Sequence, residues 1–281
     1  VLVQRVDMHD AKAHELLQQF RCVPEARLDD LMISFATDQG GVGPHFDSYD
    51  VFLLQAQGKR RWRIGRQKDL SLQQGKPLKI LSNFEPEEEF VLEPGDMLYL
   101  PPKWAHDGVA EGECMTYSIG FRSPDRSELG RELLLRMSDE PDEPETPVIY
   151  RDPKQEAVSN PALIPEGMYE FAREALKKAM AEPLALERAL GEYLTDPKPN
   201  VWFEHGDENG MFESVVLDRR TRMMYDAKHI FINGESYLAG GRGATLMRKL
   251  ADSRALSRKG LATASDVALE LASSGFGAGW V

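Results

Sequence analysis

Two histidines and an aspartate in the first half of the chain could together bind a metal ion. His45 and Asp47 stand two positions apart in GPHFDSYD (43–50), and His106 ends the segment PGDMLYLPPKWAH (94–106). Iron(II) in an oxygenase takes two neutral imidazoles and one carboxylate on one face and leaves other positions for a cosubstrate and oxygen. A His-X-Asp pair alone is common by chance, and a lone histidine is more often structural. Of the other four histidines, His9 and His14 fall in a predicted helix and His205 and His229 in the last segment of the chain, which favours the metal site.

An arginine is predicted to point into the same core. In GKRRWRIG (58–65) the alternation of a strand places Arg60 on the face of Trp62 and Ile64, whose apolar side chains mark the interior. An unpaired buried charge costs several kcal/mol, so Arg60 needs an anionic partner. That partner is either an internal acid or the carboxylate of a ligand held by the guanidinium fork.

The longer segment DVFLLQAQGKRRWRIG (50–65) predicts a hairpin. With a tight turn at Gln57-Gly58, Gln55 would lie opposite Arg60. The chain must also bend between Ser48 and Asp50 for the arginine to come within reach of the metal. Two histidines, one carboxylate and an inward arginine then fit 2-oxoglutarate-dependent oxygenation, in which the 2-oxo acid chelates iron and its far carboxylate binds a cation deeper in the pocket.

The surrounding elements indicate a mainly β first segment, over residues 1 to about 124. Short strands punctuated by Gly and Pro predict a sandwich or barrel. One helix is predicted over 7–20, with Asp7 or Asp10 as its cap. An acidic, proline-rich stretch over 138–153 predicts a linker or extended surface segment.

The second half of the chain predicts helices and a small sheet. Residues 165–195 have a helical pattern that Pro183 divides in two. Strands over 213–237 are expected to turn at Asn233-Gly234. Two further helices are predicted over 244–257 and 263–275, the second capped by Thr263 or Ser265, which together with the sheet suggest a winged helix. The apolar stripe expected on the first of the middle helices comprises Met168, Phe171, Ala175 and Met180.

Composition narrows the class of protein. The chain has 281 residues, 42% of them hydrophobic, which suggests about two domains. It begins at Val1 rather than Met, so we expect a trimmed fragment. No apolar run reaches the roughly 18 residues of a membrane span, and no signal peptide precedes the first strand. Two cysteines, Cys22 and Cys114, make no disulfide framework and predict a reducing cytoplasm.

Charge argues against a protein that wraps nucleic acid. The net charge is −12, although residues 216–281 carry ten basic and six acidic residues. The rest of the chain, residues 1–215, is acidic and could attract a basic protein substrate. The most basic stretch, RKLADSRALSRKG (248–260), is interpreted as a solvated helix face rather than a nucleic-acid contact.

The segments DDLMISF, GGVGPHFDSYDVFLLQAQGKRRWRIG, LEPGDMLYLPPKWAHDGVA and MTYSIGFR closely resemble the JmjC-type ribosomal oxygenases of bacteria, over residues 28–123. The resemblance implies a mainly β plus α fold with three parts: a double-stranded β-helix (jelly-roll, cupin) core over 1–124, a helical dimerisation segment over 125–200 and a winged helix over 201–281. The family's core has a further stretch ahead of Val1, so we expect the N-terminal part of that domain to be missing.

The resemblance also implies an activity. Members are iron(II)- and 2-oxoglutarate-dependent dioxygenases that use O2, and the bacterial ones hydroxylate an arginine side chain of the sixteenth large-subunit ribosomal protein. A basic ribosomal protein is therefore the expected partner, with a homodimer through the helical segment and neither DNA nor membrane binding.

Individual residues carry over from the motif. His45, Asp47 and His106 match the metal ligands, and Arg60 matches the basic residue for the 2-oxoglutarate 5-carboxylate. Further expected neighbours of the cosubstrate are Ser34 on the preceding strand and Tyr117 or Ser118 on the following one. Either Asp38 or Asp50 could pair with a substrate guanidinium, although each could equally be a loop acid that caps backbone amides.

Other functions remain open on the residues alone. The same core chemistry would serve a ribosomal protein histidine hydroxylase or a JmjC demethylase. A non-enzymatic alternative is a metal-free cupin whose winged helix binds nucleic acid.

Overall fold

The structure is a computed structural model that describes residues 1–138, 148–154, 156, 159–181, 183–204, 214–261, 274–275 and 277–281. They form two compact units, Val1–Ser123 and Pro124–Val281. Most of the linker predicted over 138–153, and nearly all of the helix predicted over 263–275 with both of its caps, lie outside the described residues.

The first unit is a β structure with one α-helix, α1 (Ala11–Gln18). Asp10 is the cap of α1, since its carboxylate accepts the Ala13 N–H at 2.9 Å. Asp7 is instead buried and accepts the Leu31 N–H at 2.9 Å, which fixes the chain before the helix to the sheet. The strands of this unit are β1 (Leu2–Val3), β2 (Leu28–Ala36), β3 (His45–Phe46), β4 (Val51–Gly65), β5 (Glu88–Leu92), β6 (Met97–Leu100) and β7 (Ala105–Phe121).

The long strand β7 organises the sheet. The order of the seven-stranded sheet is β1-β2-β7-β4-β5, with β3 also paired to β7 and β6 to β4, and every pairing is antiparallel. Because β2, β3 and β4 all hydrogen-bond to β7, side chains from four distant stretches of sequence converge along this one strand.

The hairpin predicted at Gln57-Gly58 is wrong. Val51–Gly65 is a single bulged strand, and β7 runs alongside both of its halves, pairing Gln55 with Thr116 and Arg60 with Ala110. Gly58 absorbs the irregularity with φ +64°, and a Cβ there would lie 2.1 Å from the Glu113 carbonyl oxygen. The glycine therefore kinks a continuous strand instead of reversing it.

The two faces of β4 serve two different cores. Phe52 and Leu54 pack towards α1, in a cluster that includes Leu17, Leu31 and Ile119. Val51 and Leu53 alternate with them and point the opposite way, into the inner cluster. After the register shifts between Gln55 and Lys59, Trp62 and Ile64 point into the same cluster, whose other buried member is Leu100 of β6. The period-two pattern predicted for Arg60, Trp62 and Ile64 is confirmed, since all three are buried.

The second unit begins with three helices, α2 (Arg126–Ser138), α3 (Glu166–Met180) and α4 (Ala185–Thr195). The helical segment is interrupted between α3 and α4 near Pro183, as predicted. The apolar stripe of α3 is not buried within the chain: Met168 is 41% and Met180 63% exposed, and no residue of α3 is buried.

The rest of the second unit contains a small antiparallel sheet and further helices. Asn233 and Gly234 make the predicted hairpin turn, both with positive φ (48° and 87°) between Ile232 and Glu235. The elements are β8 (Val215–Val216), β9 (Met223–Tyr225), β10 (His229–Ile232), β11 (Glu235–Leu238), α5 (Gly241–Ser253), β12 (Ala255–Leu256) and α6 (Arg258–Leu261). No helix among the described ranges combines the length and apolarity that crossing a membrane requires.

Candidate metal and cosubstrate site

The pairing of β3 with β7 brings the two candidate histidines together. His45 is the direct cross-strand partner of His106, and their ring centroids are 4.3 Å apart. The short strand β3 is held from its other side, because the Leu81 N–H donates to the Pro44 carbonyl at 2.8 Å. Leu81 is itself only 1% exposed, so this clamp on the histidine segment is part of the core.

Backbone carbonyls determine which nitrogen each imidazole presents. Nδ1 of His45 lies 2.8 Å from the Gly43 carbonyl, and Nδ1 of His106 lies 3.1 Å from the Trp104 carbonyl. A carbonyl only accepts, so both Nδ1 atoms carry a proton, and Nε2 is the nitrogen that each ring offers to a metal. This is the arrangement that orients a histidine as a metal ligand.

Asp47 completes a group of three. One ligand atom from each of His45, Asp47 and His106 lies within 4.8 Å of the others, and Nε2 of His106 is 3.7 Å from Oδ2 of Asp47. Burial, and next the neighbouring His45 ring, lower the pKa of His106 to about 4. Two imidazoles with one carboxylate are the donor set expected for non-haem iron(II).

A tyrosine reinforces the carboxylate. The Tyr49 hydroxyl donates a hydrogen bond to Asp47; burial, and then the charge of Asp47, raise the pKa of that hydroxyl well above its usual value. Tyr49 therefore stays protonated and orients the carboxylate.

Arg60 is buried with neutral partners. Its Nη1 donates to Ser34 Oγ at 3.0 Å and to Thr116 Oγ1 at 3.3 Å, and its Nη2 donates to the Gly108 carbonyl at 3.2 Å. Within the described part of the chain, Nε has no hydrogen-bond partner and no carboxylate lies in ion-pair distance of the guanidinium. Burial lowers the pKa of Arg60, although a guanidinium stays charged at neutral pH.

The guanidinium faces a cavity of about 480 Å³. Ser34 and Arg60 line it together with Thr37, Gly41 and Leu78. A buried cation with an unused N–H beside an open cavity is a site for an anion, because a carboxylate would supply the missing charge.

The residues predicted to neighbour the cosubstrate do not all lie on the same face of the sheet. Ser34 contacts Arg60 as expected, and Ser118 is buried on the same face of β7 as Thr116. Tyr117 is not brought to the cavity: it lies on the opposite face and packs against the core beside α1.

Two residues that the sequence reasoning missed hold the Arg60 guanidinium in place. Thr116 bridges Arg60 and Gln55, to whose side-chain carbonyl it donates at 2.9 Å. Gly108 accepts from Arg60 through its carbonyl. Alternation through MTYSIGF (115–121) would have placed Thr116 beside Ser118 on the inner face.

Both acids considered for a substrate guanidinium already have partners. Asp38 is exposed, and its Oδ1 accepts the Gly112 N–H at 2.7 Å, as expected of a loop acid that caps an amide. Asp50 accepts from Arg27 Nη2 at 2.8 Å and from the Tyr99 hydroxyl at 2.6 Å.

Comparison with known proteins agrees with this geometry. The JmjC domain family matches residues 15–129. The ribosomal protein uL16 3-hydroxylase of Escherichia coli K12 is 37% identical over 203 residues, 70% of this chain and 52% of that protein. A probable ribosomal oxygenase of Haemophilus influenzae is 41% identical over 133 residues, 46% of this chain and 33% of that protein. This chain thus spans about half the length, or less, of these curated relatives.

Solved structures show the same fold. The crystal structure of E. coli YcfD superposes with a TM-score of 0.82 at 29% identity, covering 99% of this chain and 77% of that one. A structure of YcfD in complex with cobalt and 2-oxoglutarate superposes with a TM-score of 0.78, also at 29% identity, over 99% of this chain and 76% of that one. Residues 15–129 of this chain therefore match the JmjC domain family, and the resemblance to the bacterial ribosomal oxygenases that the sequence indicated is confirmed.

Proposed function

We propose that this chain is an iron(II)- and 2-oxoglutarate-dependent protein hydroxylase that acts on an arginine side chain of ribosomal protein uL16. One observation carries the proposal: a buried Arg60 that lacks an anionic partner in the described chain, in the same sheet as two histidines that form a cluster with Asp47. Support comes from the E. coli relative, which is named a uL16 3-hydroxylase, and from YcfD, which binds cobalt and 2-oxoglutarate.

The residues present fit the metal and the cosubstrate. Nε2 of His45, Nε2 of His106 and a carboxylate oxygen of Asp47 would hold Fe(II), which with 2-oxoglutarate and O2 supplies the oxidising power to hydroxylate a C–H bond. Arg60 would bind the distal carboxylate of 2-oxoglutarate, and Ser34 would keep the guanidinium in place.

The substrate side of the proposal rests on charge. A chain of net charge −12 favours encounter with a basic ribosomal protein. Asp38 is the better of the two candidate acids for the substrate arginine, because it is exposed and binds the Gly112 amide through only one of its two oxygens. Asp50 already pairs with the guanidinium of Arg27.

The remaining predictions belong to the same proposal. The three-part plan, with a homodimer through the helical segment, is supported by the exposed apolar side chains of Met168, Leu176 and Met180 on α3. A cytoplasmic location and the absence of DNA binding follow from a ribosomal protein as the substrate.

The test is mass spectrometry of uL16 incubated with the iron-loaded protein, 2-oxoglutarate and air. We expect uL16 to gain the mass of one oxygen atom on an arginine, with release of succinate, and we expect Asp47→Ala to abolish both. The gain of an oxygen on a histidine of another ribosomal protein would instead identify a histidine hydroxylase, and loss of a methyl group would identify a demethylase. The absence of succinate with every ribosomal protein would refute the proposal.

A further inference from the structure

Trp62 lies between the two halves of the site. Its ring is 5.1 Å from Cζ of Arg60, and its centroid is 5.9 Å from that of the His106 ring. The register explains this position: along β4, Trp62 comes between Arg60 and Ile64, and Ile64 is the cross-strand partner of His106. One side chain therefore contacts both the anion-binding cation and a metal-facing imidazole.

The surroundings leave this ring little freedom. Trp62 is only 5% exposed and belongs to the inner hydrophobic cluster. Its cross-strand partner on β7 is Gly108, where a Cβ would lie 2.7 Å from two atoms of the indole ring and 2.8 Å from Nε of Arg60. The φ angle of Gly108 is not positive, so glycine is needed there for space and not for backbone conformation.

We propose that Trp62 is a positioning residue that sets the separation and direction between the Arg60 guanidinium and the His106 imidazole, and thereby the length of the 2-oxo dicarboxylate that the site accepts. The inference rests on the proposed function, because it takes Arg60 to bind the distal carboxylate of the cosubstrate. The rigid indole ring, held against Gly108, keeps the guanidinium from moving along the strand towards His106. A flexible aliphatic side chain at position 62 would not prevent this movement.

The test measures binding without turnover. Protein loaded with Co(II) is titrated by calorimetry with 2-oxo diacids of four, five and six carbons: oxaloacetate, 2-oxoglutarate and 2-oxoadipate. We expect the wild type to prefer 2-oxoglutarate. Trp62→Leu loses the cation–π contact, which should raise the Kd for 2-oxoglutarate about tenfold and reduce the preference for five carbons. Trp62→Phe should retain most of the affinity and most of the preference.

Two further variants separate positioning from packing. Phe90 is the neighbour of Trp62 on β5 and packs against the same cluster, so Phe90→Leu should lower stability but keep the preference for five carbons. Gly108→Ala should displace the ring and act in the same direction as Trp62→Leu. Tryptophan emission should also change when Co(II) and then 2-oxoglutarate are added. The change should be smaller in Trp62→Phe, in which Trp104, two residues from His106, remains, and this comparison holds even if Trp62→Leu does not fold.

The outcomes distinguish this inference from the proposed function. If the wild type binds none of the three diacids, the proposed cosubstrate is wrong and the role of Trp62 is refuted with it. If the wild type prefers 2-oxoglutarate and the foldable variants at Trp62 and Gly108 keep its affinity and preference, only the positioning role is refuted. An emission change as large in Trp62→Phe as in the wild type contradicts the proximity argument directly.

Discussion

Nε2 of His106 lies 3.7 Å from Oδ2 of Asp47, although the two residues belong to distant parts of the sequence. The contact exists because β3 pairs with the start of β7, which makes His45 the cross-strand partner of His106. Asp47 comes just after the end of β3 and shares the space in front of both rings. The position of the Asp47 carboxylate relative to the two rings therefore depends on the groups that orient it.

We expect Tyr49→Phe to weaken metal binding by about 10- to 100-fold, the usual cost of losing a hydrogen bond to a metal ligand. The hydroxyl of Tyr49 donates to Asp47. Titration with Co(II) measures the affinity. Tyr99→Phe is a matched control, because it removes a tyrosine hydroxyl from Asp50 instead and should leave the metal affinity unchanged. Equal affinities for the two variants would contradict the orienting role of Tyr49.

Replacing Arg60 with methionine should stabilise the metal-free protein by about 1 kcal/mol, because it removes a buried charge held only by neutral acceptors. The unsatisfied hydroxyls of Ser34 and Thr116 would offset part of that gain. Denaturant unfolding measures the change. Co(II) with 2-oxoglutarate should then stabilise the wild type much more than Arg60→Met. Equal stabilisation of both proteins would show that Arg60 does not bind the cosubstrate.

The kink in β4 should tolerate no side chain. In Gly58→Ala the positive φ and a Cβ 2.1 Å from the Glu113 carbonyl should together destabilise the protein by more than about 3 kcal/mol. Gly112→Ala is the matched control: its φ is also positive, at +75°, but nothing lies within 4 Å of the added carbon, so a cost of about 1–2 kcal/mol is expected. Similar unfolding energies for the two variants would contradict the steric argument.

Asp38→Asn separates the charge of Asp38 from its structural role in the loop that follows β2. The amide oxygen can still accept the Gly112 N–H, so the thermal midpoint should not change, whereas the KM for an arginine-containing uL16 peptide should rise about tenfold through loss of a charged hydrogen bond. Asp38→Ala should in addition cost about 1 kcal/mol of stability. An unchanged KM in Asp38→Asn would remove Asp38 from substrate binding.

The stability of the second unit should depend on pH through the carboxyl group of Asp218. Burial alone would raise the pKa of Asp218, but hydrogen bonds from the Arg220 side chain and backbone hold it below the usual value. Because the folded-state pKa is lowered, the ionised carboxylate contributes its full stabilisation above the unfolded-state pKa of about 3.9. This stabilisation is lost as the pH falls through the folded-state pKa. The stability difference between wild type and Asp218→Asn should thus be present at pH 7, begin to shrink near pH of about 3.9 and vanish below the lowered folded-state pKa. A difference that persists in acid would contradict this.

Local pattern predicted the parts of the site that depend on single strands. Alternation along GKRRWRIG placed Arg60 with Trp62 and Ile64, and the structure buries all three. The same rule, applied to the strand that follows the motif, would have separated Tyr117 from Thr116. Turn chemistry likewise located the hairpin at Asn233-Gly234.

Non-local pairing decided what the pattern could not. Gln57-Gly58 has the composition of a hairpin turn, yet Val51–Gly65 stays one strand, because β7 is long enough to hydrogen-bond along both halves. Likewise, nothing in the neighbourhood of Arg60 along the chain shows whether an acid from elsewhere would neutralise it.

The amino-acid sequence by itself determined which residue types were available for chemistry and on which side of each strand they lie, because side-chain direction in a strand follows from the backbone repeat. Only the tertiary structure decided that His45 meets His106, that Trp62 lies between Arg60 and the imidazole, and that Arg60 has neutral partners. Those relations depend on which strands hydrogen-bond to β7 and in which register, and that choice is a property of the whole sheet.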